Sequence, residues 1–229
     1  MLQASRRTTI RGPAFIRLLA RLTAMDVTPP HLSLSDRLSQ WLDWNHALAL
    51  STALDGKPSV VTVVVSAPAL VAQDTCARAR ASQAEAVTDE TEWSVGQRRA
   101  DDAVADYAFF RQRYLARQRA MRSATGDLRG RLRETLAAQS ADMARLAEVD
   151  AAMELALSPR EQALLAAVPD LLESHFQNLR QAALADAQIP SMRGSWQSVF
   201  RKDMQSVLLA ELDVRFQPVE ALLAALRTS

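Results

Sequence analysis

Residues 101 to 157 keep their apolar side chains at one helical spacing for longer than any other stretch of the chain. Tyr107, Phe110, Tyr114, Met121, Leu128, Leu132, Leu136, Met143, Leu146, Val149, Met153 and Leu157 are separated almost throughout by three, four or seven positions, and no proline interrupts them. That period draws one apolar stripe along one side of an α-helix, whereas a strand would need alternation at every second residue. The chain is thereby restricted to folds built around a long amphipathic helix. Interruptions are expected only near Gly126 and Gly130, where each glycine costs about 1 kcal/mol relative to alanine.

The end of this helix is expected at Ser158-Pro159-Arg160-Glu161. Serine at the cap, proline in the first turn and glutamate three residues after the serine form a capping box, the most specific local signal in the sequence. The following helix carries Leu164, Leu165, Val168, Leu171, Leu172, Phe176 and Leu179, with Pro169 bending it or splitting it in two. A short break favours antiparallel neighbours, so residues 101 to 187 are expected to form a long helical hairpin that doubles back at Ser158.

The remaining segments are expected to build around that hairpin. Residues 1 to 12 form a loose tail. A helix beginning at Pro13 shows Phe15, Leu18, Leu19 and Leu22 on one face; with its flanking arginines it can pack into a core or lie on anionic lipid. Pro29-Pro30 ends it, Ser33 or Ser35 caps a second helix reaching Leu54, and the two make an N-terminal helical hairpin over residues 1 to 56. Residues 57 to 100 form an apolar connector, with Val60, Val61, Val63, Val64 and Val65 as a strand or as a cover on a helix, and then a flexible linker. Trp93 in that linker is either a docking anchor or packs back on its own protein. Residues 101 to 229 complete the chain, Pro218 separating a helix that starts after Ser195 from a last apolar segment, 219 to 226. Six glycines in 229 residues argue against a turn-rich β fold, and the expected class is all-α: an elongated helical bundle on a long antiparallel hairpin.

Charge is unevenly placed although the net charge is only +1. Residues 111 to 133 hold eight arginines and one acid, Asp127; residues 134 to 173 hold eight acids and two arginines. With the chain folded at Ser158, these blocks become a positive and a negative end. Arg111, Arg119, Arg122, Arg129 and Arg133 form a stripe beside the apolar face, which is a solvated surface, a contact for an acidic protein, or a contact for phosphate backbones.

Reactive constellations are absent from the pattern. Cys76 stands alone with no base beside it, so neither a disulfide framework nor a thiolate metal cluster is expected. His31, His46 and His175 have no ligand spacing, and Asp150, Glu154 and Glu161 near the expected turn are explained by the helix dipole without a cation. The serine-hydrolase and zinc-protease templates and a glycine-rich phosphate loop are missing, so no cofactor, metal or catalytic residue is expected. No stretch reaches the roughly 18 to 20 apolar residues that cross a bilayer, and no signal-peptide pattern is evident; a soluble, cytoplasmic protein is expected.

Three sets of residues carry a family resemblance: Arg17-Leu18-Leu19 followed by Leu38-Ser39-Gln40-Trp41-Leu42; Leu146-Ala147-Glu148-Val149-Asp150 before Arg160-Glu161-Gln162-Ala163-Leu164-Leu165; and Leu208-Leu209-Ala210-Glu211-Leu212-Asp213-Val214-Arg215-Phe216-Gln217-Pro218. In this order they resemble a proteobacterial domain-of-unknown-function family, family 3348. The resemblance implies an accessory component of type III Zorya anti-phage defence, encoded beside membrane proteins similar to flagellar stator subunits and to peptidoglycan-binding OmpA-like proteins. It implies no catalytic residues. The expected function is a non-enzymatic cytoplasmic adaptor or effector subunit, meeting a companion defence subunit or a stator-like membrane complex through the arginine stripe, without inserting in the membrane. The alternative is a nucleic-acid-binding module using the same arginines. The ragged heptad of the long helix also permits a homo-oligomer.

Overall fold

The computed structural model describes residues 13–23, 33–55, 67–94, 106–185 and 195–228. Among these residues the regular elements are nine helices and no strands: α1 Ala14–Thr23, α2 Leu34–Trp41, α3 Trp44–Leu54, α4 Ala67–Thr88, α5 Glu90–Ser94, α6 Tyr107–Ala137, α7 Ala141–Ala166, α8 Val168–Ala185 and α9 Ser195–Thr228. The fold is all-α. The valine run at 60 to 65, the tail before residue 13 and the proline breaks at 29–30 and 190 lie outside the described residues.

The chain reverses direction at residues 138–140 and not at Ser158. α6 runs past Gly126 and Gly130 to Ala137, and Ser140, in extended backbone, then caps α7 by accepting a hydrogen bond from the Met143 N–H at 3.2 Å. The expectation of a turn at Ser158-Pro159 is corrected: α7 continues through both residues. Leu136 and Met143 are seven apart, the same as two helical turns, so the apolar period crosses the real turn unchanged. At Pro159 the missing N–H removes one rung, a cost of about 3 kcal/mol. Ala156 before it and Leu165 after it are buried against the bundle, which holds the helix in line.

Pro218 also fails to end a helix. α9 buries Phe200, Met204, Val207, Leu208, Leu212, Phe216, Val219, Leu222 and Leu226, a core face that passes the proline without a gap. Each such side chain contributes about 1.5 to 3 kcal/mol, enough to outweigh the lost rung. Pro169, by contrast, does split its helix from the one before: α7 stops at Ala166, and the proline sits in the first turn of α8, where its missing donor costs nothing.

Facing pairs give the helix directions. Tyr107 meets Phe200 and Tyr114 meets Glu211, so α6 and α9 run parallel. Val87 accepts from Gln205 while Arg80 reaches Asp213 and Glu220, which sets α4 antiparallel to α9. α7 is antiparallel to α6, as the pairs below show. One end of the bundle is sealed by an aromatic cluster in which Phe176 of α8 lies 5.5 Å from Tyr107, 5.0 Å from Phe200 and 5.1 Å from Trp196 between ring centroids.

Residues 67 to 88, expected as the end of the apolar connector and the start of the flexible linker, form an alanine-rich helix that buries Ala69, Cys76 and Val87 against α6 and α9. Alanine has the highest helix propensity, and the signal was hidden because the buried residues are small. Trp93 is buried on its own protein, its indole N–H donating to the Val87 carbonyl at 2.9 Å. At the N-terminal side, Ser33 caps α2 in a capping box with Asp36, but Asp43 then starts α3 as a separate helix by accepting from the His46 N–H. α1 buries Phe15 and Leu19 against α8 and α9, the core-packing alternative, while α3 packs on α7. Among the described residues, the expected second N-terminal helix is thus two helices, α2 and α3.

Candidate functional site: an arginine cleft above a buried carboxylate

Because the turn lies at 138–140, the acidic block folds back alongside the basic one. Arg129 grips Asp150 with two hydrogen bonds, Nε to Oδ2 at 2.8 Å and Nη2 to Oδ1 at 2.7 Å, and Arg133 joins Asp150 to Glu154. Further along, Arg122 donates to Gln162 Oε1 at 3.1 Å, and Arg111 lies 3.7 Å from Asp170. These pairs advance along α6 as they retreat along α7 and into α8, the signature of antiparallel packing. The expected opposite electrical poles are corrected accordingly: positive and negative stretches lie side by side and neutralise each other. Burial opposes the Arg133 charge, but hydrogen bonds and charge from Glu154 and Asp150 prevail and hold it more firmly protonated.

The five arginines of the stripe thus have different surroundings. Arg129 and Arg133 are only 15% and 22% exposed and are held within the chain, and Arg111 has an exposed partner. Arg122 has a neutral partner, and Arg119 is exposed with no ion pair or hydrogen bond among the described residues. Asp150, Glu154 and Glu161, weighed as a cation cluster, are each taken by arginine. Among the described residues no group of histidines, cysteines and carboxylates is placed to hold a metal. His175 is a satisfied side chain between α8 and α9, its Nε2 2.8 Å from Asp203 Oδ2.

Beneath the stripe is a network that the periodicity concealed. Glu211 of α9 is completely buried. Its Oε2 accepts from the Tyr114 hydroxyl at 2.8 Å and from Gln118 Nε2 at 2.9 Å, and its Oε1 accepts from Arg215 Nε at 2.8 Å. Gln118 also donates to the Leu165 carbonyl at 3.0 Å, and Arg215 extends to Glu161 at 3.2 Å. Four residues in contact with one carboxylate or its cation tie α6, α7 and α9 together. Burial first, then the Glu211 charge, pushes the Tyr114 hydroxyl well above its ordinary pKa, so it stays a proton donor to the carboxylate. One sequence signal was available. Glu211 and Arg215 are charged residues four apart on a helix face otherwise made of Leu208, Leu212, Phe216 and Val219, and such a pair on an apolar face is a buried one.

Above Arg215 the surface opens into a cleft of about 230 Å³ between α6 and α7, lined by Gln118, Arg119, Arg122, Gln162 and Arg215 together with apolar residues. Three guanidinium groups and two amides line it, and no carboxylate does among the described residues. A smaller hollow shares Arg122, Gln162 and Arg215 and continues towards Arg129 and Pro218, where Glu154 and Glu161 enter the wall. The first part favours an anionic group presented at the end of a side chain: arginine offers forked donors, and a nearly buried arginine at the floor fixes their geometry.

An all-α protein with an arginine-lined cleft over a buried ion-pair network is what these residues define. The chain belongs to the family described as protein of unknown function (DUF3348), whose model matches residues 1–228. No curated protein and no solved structure matches it. No helix among the described residues is long and apolar enough to cross a membrane.

Proposed function

We propose that the protein is a non-enzymatic adaptor or effector subunit that binds an acidic segment of a partner protein in the cleft at Arg119 and Arg122. The supporting observation is the cleft itself, where Arg119 and Arg122 have no carboxylate partner and no carboxylate is among the described lining residues, beside arginines already neutralised. Arg119 and Arg122 carry the contact in this proposal, Arg215 shapes its floor, and Arg129 and Arg133 hold α6 to α7. The resemblance suggests the setting: an accessory component of type III Zorya anti-phage defence, acting in the cytoplasm on a companion subunit or a stator-like membrane complex.

Charge reversal tests the proposal. Arg119→Glu with Arg122→Glu should abolish partner capture and protection against phage while leaving the circular dichroism spectrum and melting temperature intact. Undiminished capture and protection would refute the cleft as the contact. Pairing of Arg111, Arg129 and Arg133 leaves Arg119 and Arg122 as the stripe arginines without an ion pair among the described residues, a short footprint for a phosphate backbone, which favours a protein partner over nucleic acid. DNA binding with a steep salt dependence, lost in the same variant, would reverse that preference.

A further inference from the structure

A second opening lies away from the arginine cleft, between the N-terminal half of α4 and the C-terminal half of α6. Its volume is about 460 Å³, within the roughly 300 to 1,000 Å³ range of small-molecule sites. Val71 and Cys76 on one side and Leu128 and Leu132 on the other make its wall apolar, and among the described residues Arg131 is the one charged residue lining it. Arg131 is exposed; its Nε donates to the Asp127 carbonyl at 3.3 Å, and it forms no ion pair among the described residues. It lines the same opening as Cys76.

We propose that this groove binds a medium-chain acyl carboxylate, with the alkyl chain between α4 and α6 and the carboxylate on Arg131. Charge complementarity selects the head group: a guanidinium without an ion pair and no acid among the described lining residues favour an anion over a neutral or cationic amphiphile. Length selects the chain. From Leu128 to Thr135 the α6 wall spans seven residues, about 10 Å at 1.5 Å each, the reach of an extended medium-chain acyl group. Cys76 is a wall residue and not a nucleophile, because burial raises its thiol pKa more than Arg131 lowers it.

Calorimetric titration of the full-length protein with decanoate, decanol and decyltrimethylammonium tests this directly. Decanoate is expected to bind saturably with one-to-one stoichiometry, at least about tenfold more tightly than the cation. It should also slow labelling of Cys76, the only thiol in the chain, by a disulfide-exchange reagent. Thr75→Trp, a half-buried lining position on α4, should fill the groove and remove binding with the melting temperature unchanged. Should that variant not fold, Thr135→Trp fills the groove from the α6 side. Arg131→Glu should invert the head-group preference. The proposal is overturned by absence of saturable binding, by equal binding of anion and cation, or by decanoate binding that survives both the filling variant and Arg131→Glu. Protection of Cys76 that appears without ligand as protein concentration rises would assign the groove to a second copy of the chain and overturn it equally.

Discussion

Removing the Arg215 guanidinium should reveal how much the buried carboxylate depends on it. In the native structure the Glu211 side chain is 0% and the Arg215 side chain 6% exposed. Arg215→Met keeps the stem that packs against the bundle but takes away the countercharge and the bonds to Glu211 Oε1. Stripping one partner from a buried pair costs about 3 to 5 kcal/mol. Tyr114 and Gln118 still serve Oε2, which places the loss near the lower end, about 3 kcal/mol, or a fall in melting temperature of roughly 6 to 12 °C for a domain of this size. Urea unfolding should show a lower midpoint with an unchanged slope. Adding Glu211→Gln to Arg215→Met should restore at least about 1 kcal/mol, because the one carboxylate then left without its arginine, Glu161, reaches solvent, and an amide oxygen still accepts from Tyr114. A loss below about 1 kcal/mol for the single variant, or a double variant less stable than the single, would refute the account of the network.

The position of the chain reversal can be read from two serines: Ser140→Ala should cost about 1 kcal/mol by removing the α7 cap, while Ser158→Ala, inside the helix, should be close to neutral in the same melting assay. Both tyrosines of the chain are buried donors whose pKa is raised in the fold, chiefly by desolvation. Their contribution is complete below the unfolded tyrosine value of about 10 and is lost as pH climbs beyond it. Ultraviolet titration should therefore show phenolate appearing only together with alkaline unfolding, and ionisation of either ring in a folded protein near the ordinary value would contradict it. Arg129→Ala should destabilise by about 1 to 2 kcal/mol, more than Arg111→Ala at about 0.5 kcal/mol or less, because the first pair is mostly buried and bidentate and the second lies at the surface; equal losses in urea melts would count against the ladder.

The helical class was readable because period, alanine content and scarce glycine all point one way. Errors fell where local signals and packing disagree. Ser158-Pro159-Arg160-Glu161 has every local mark of a helix start, yet Glu161 reaches Arg215 instead of closing a box, and the true cap at Ser140 is masked by a seven-residue step. The residues of the cleft were half visible. Arg119 and Arg122 stand in the stripe with Gln118 on the same helix, but Gln162 and Arg215 meet them from positions 40 or more away, a neighbourhood set by the folding of the chain that one-dimensional spacing does not encode. Which arginines of the stripe are neutralised likewise depends on which acids lie opposite. The α4 helix was missed because alanine and cysteine leave almost no amphipathic contrast.

Pro159 and Pro218 have one more effect. Each deletes a rung from its own helix, leaving the carbonyls of Leu155 and Val214 without their usual backbone donor. Ser158 and Pro218 border the same small hollow, so the two missing rungs fall at nearly one height on neighbouring rods. The bundle thus lacks two axial backbone bonds beside a single hollow, on two helices that the Glu161–Arg215 pair joins there.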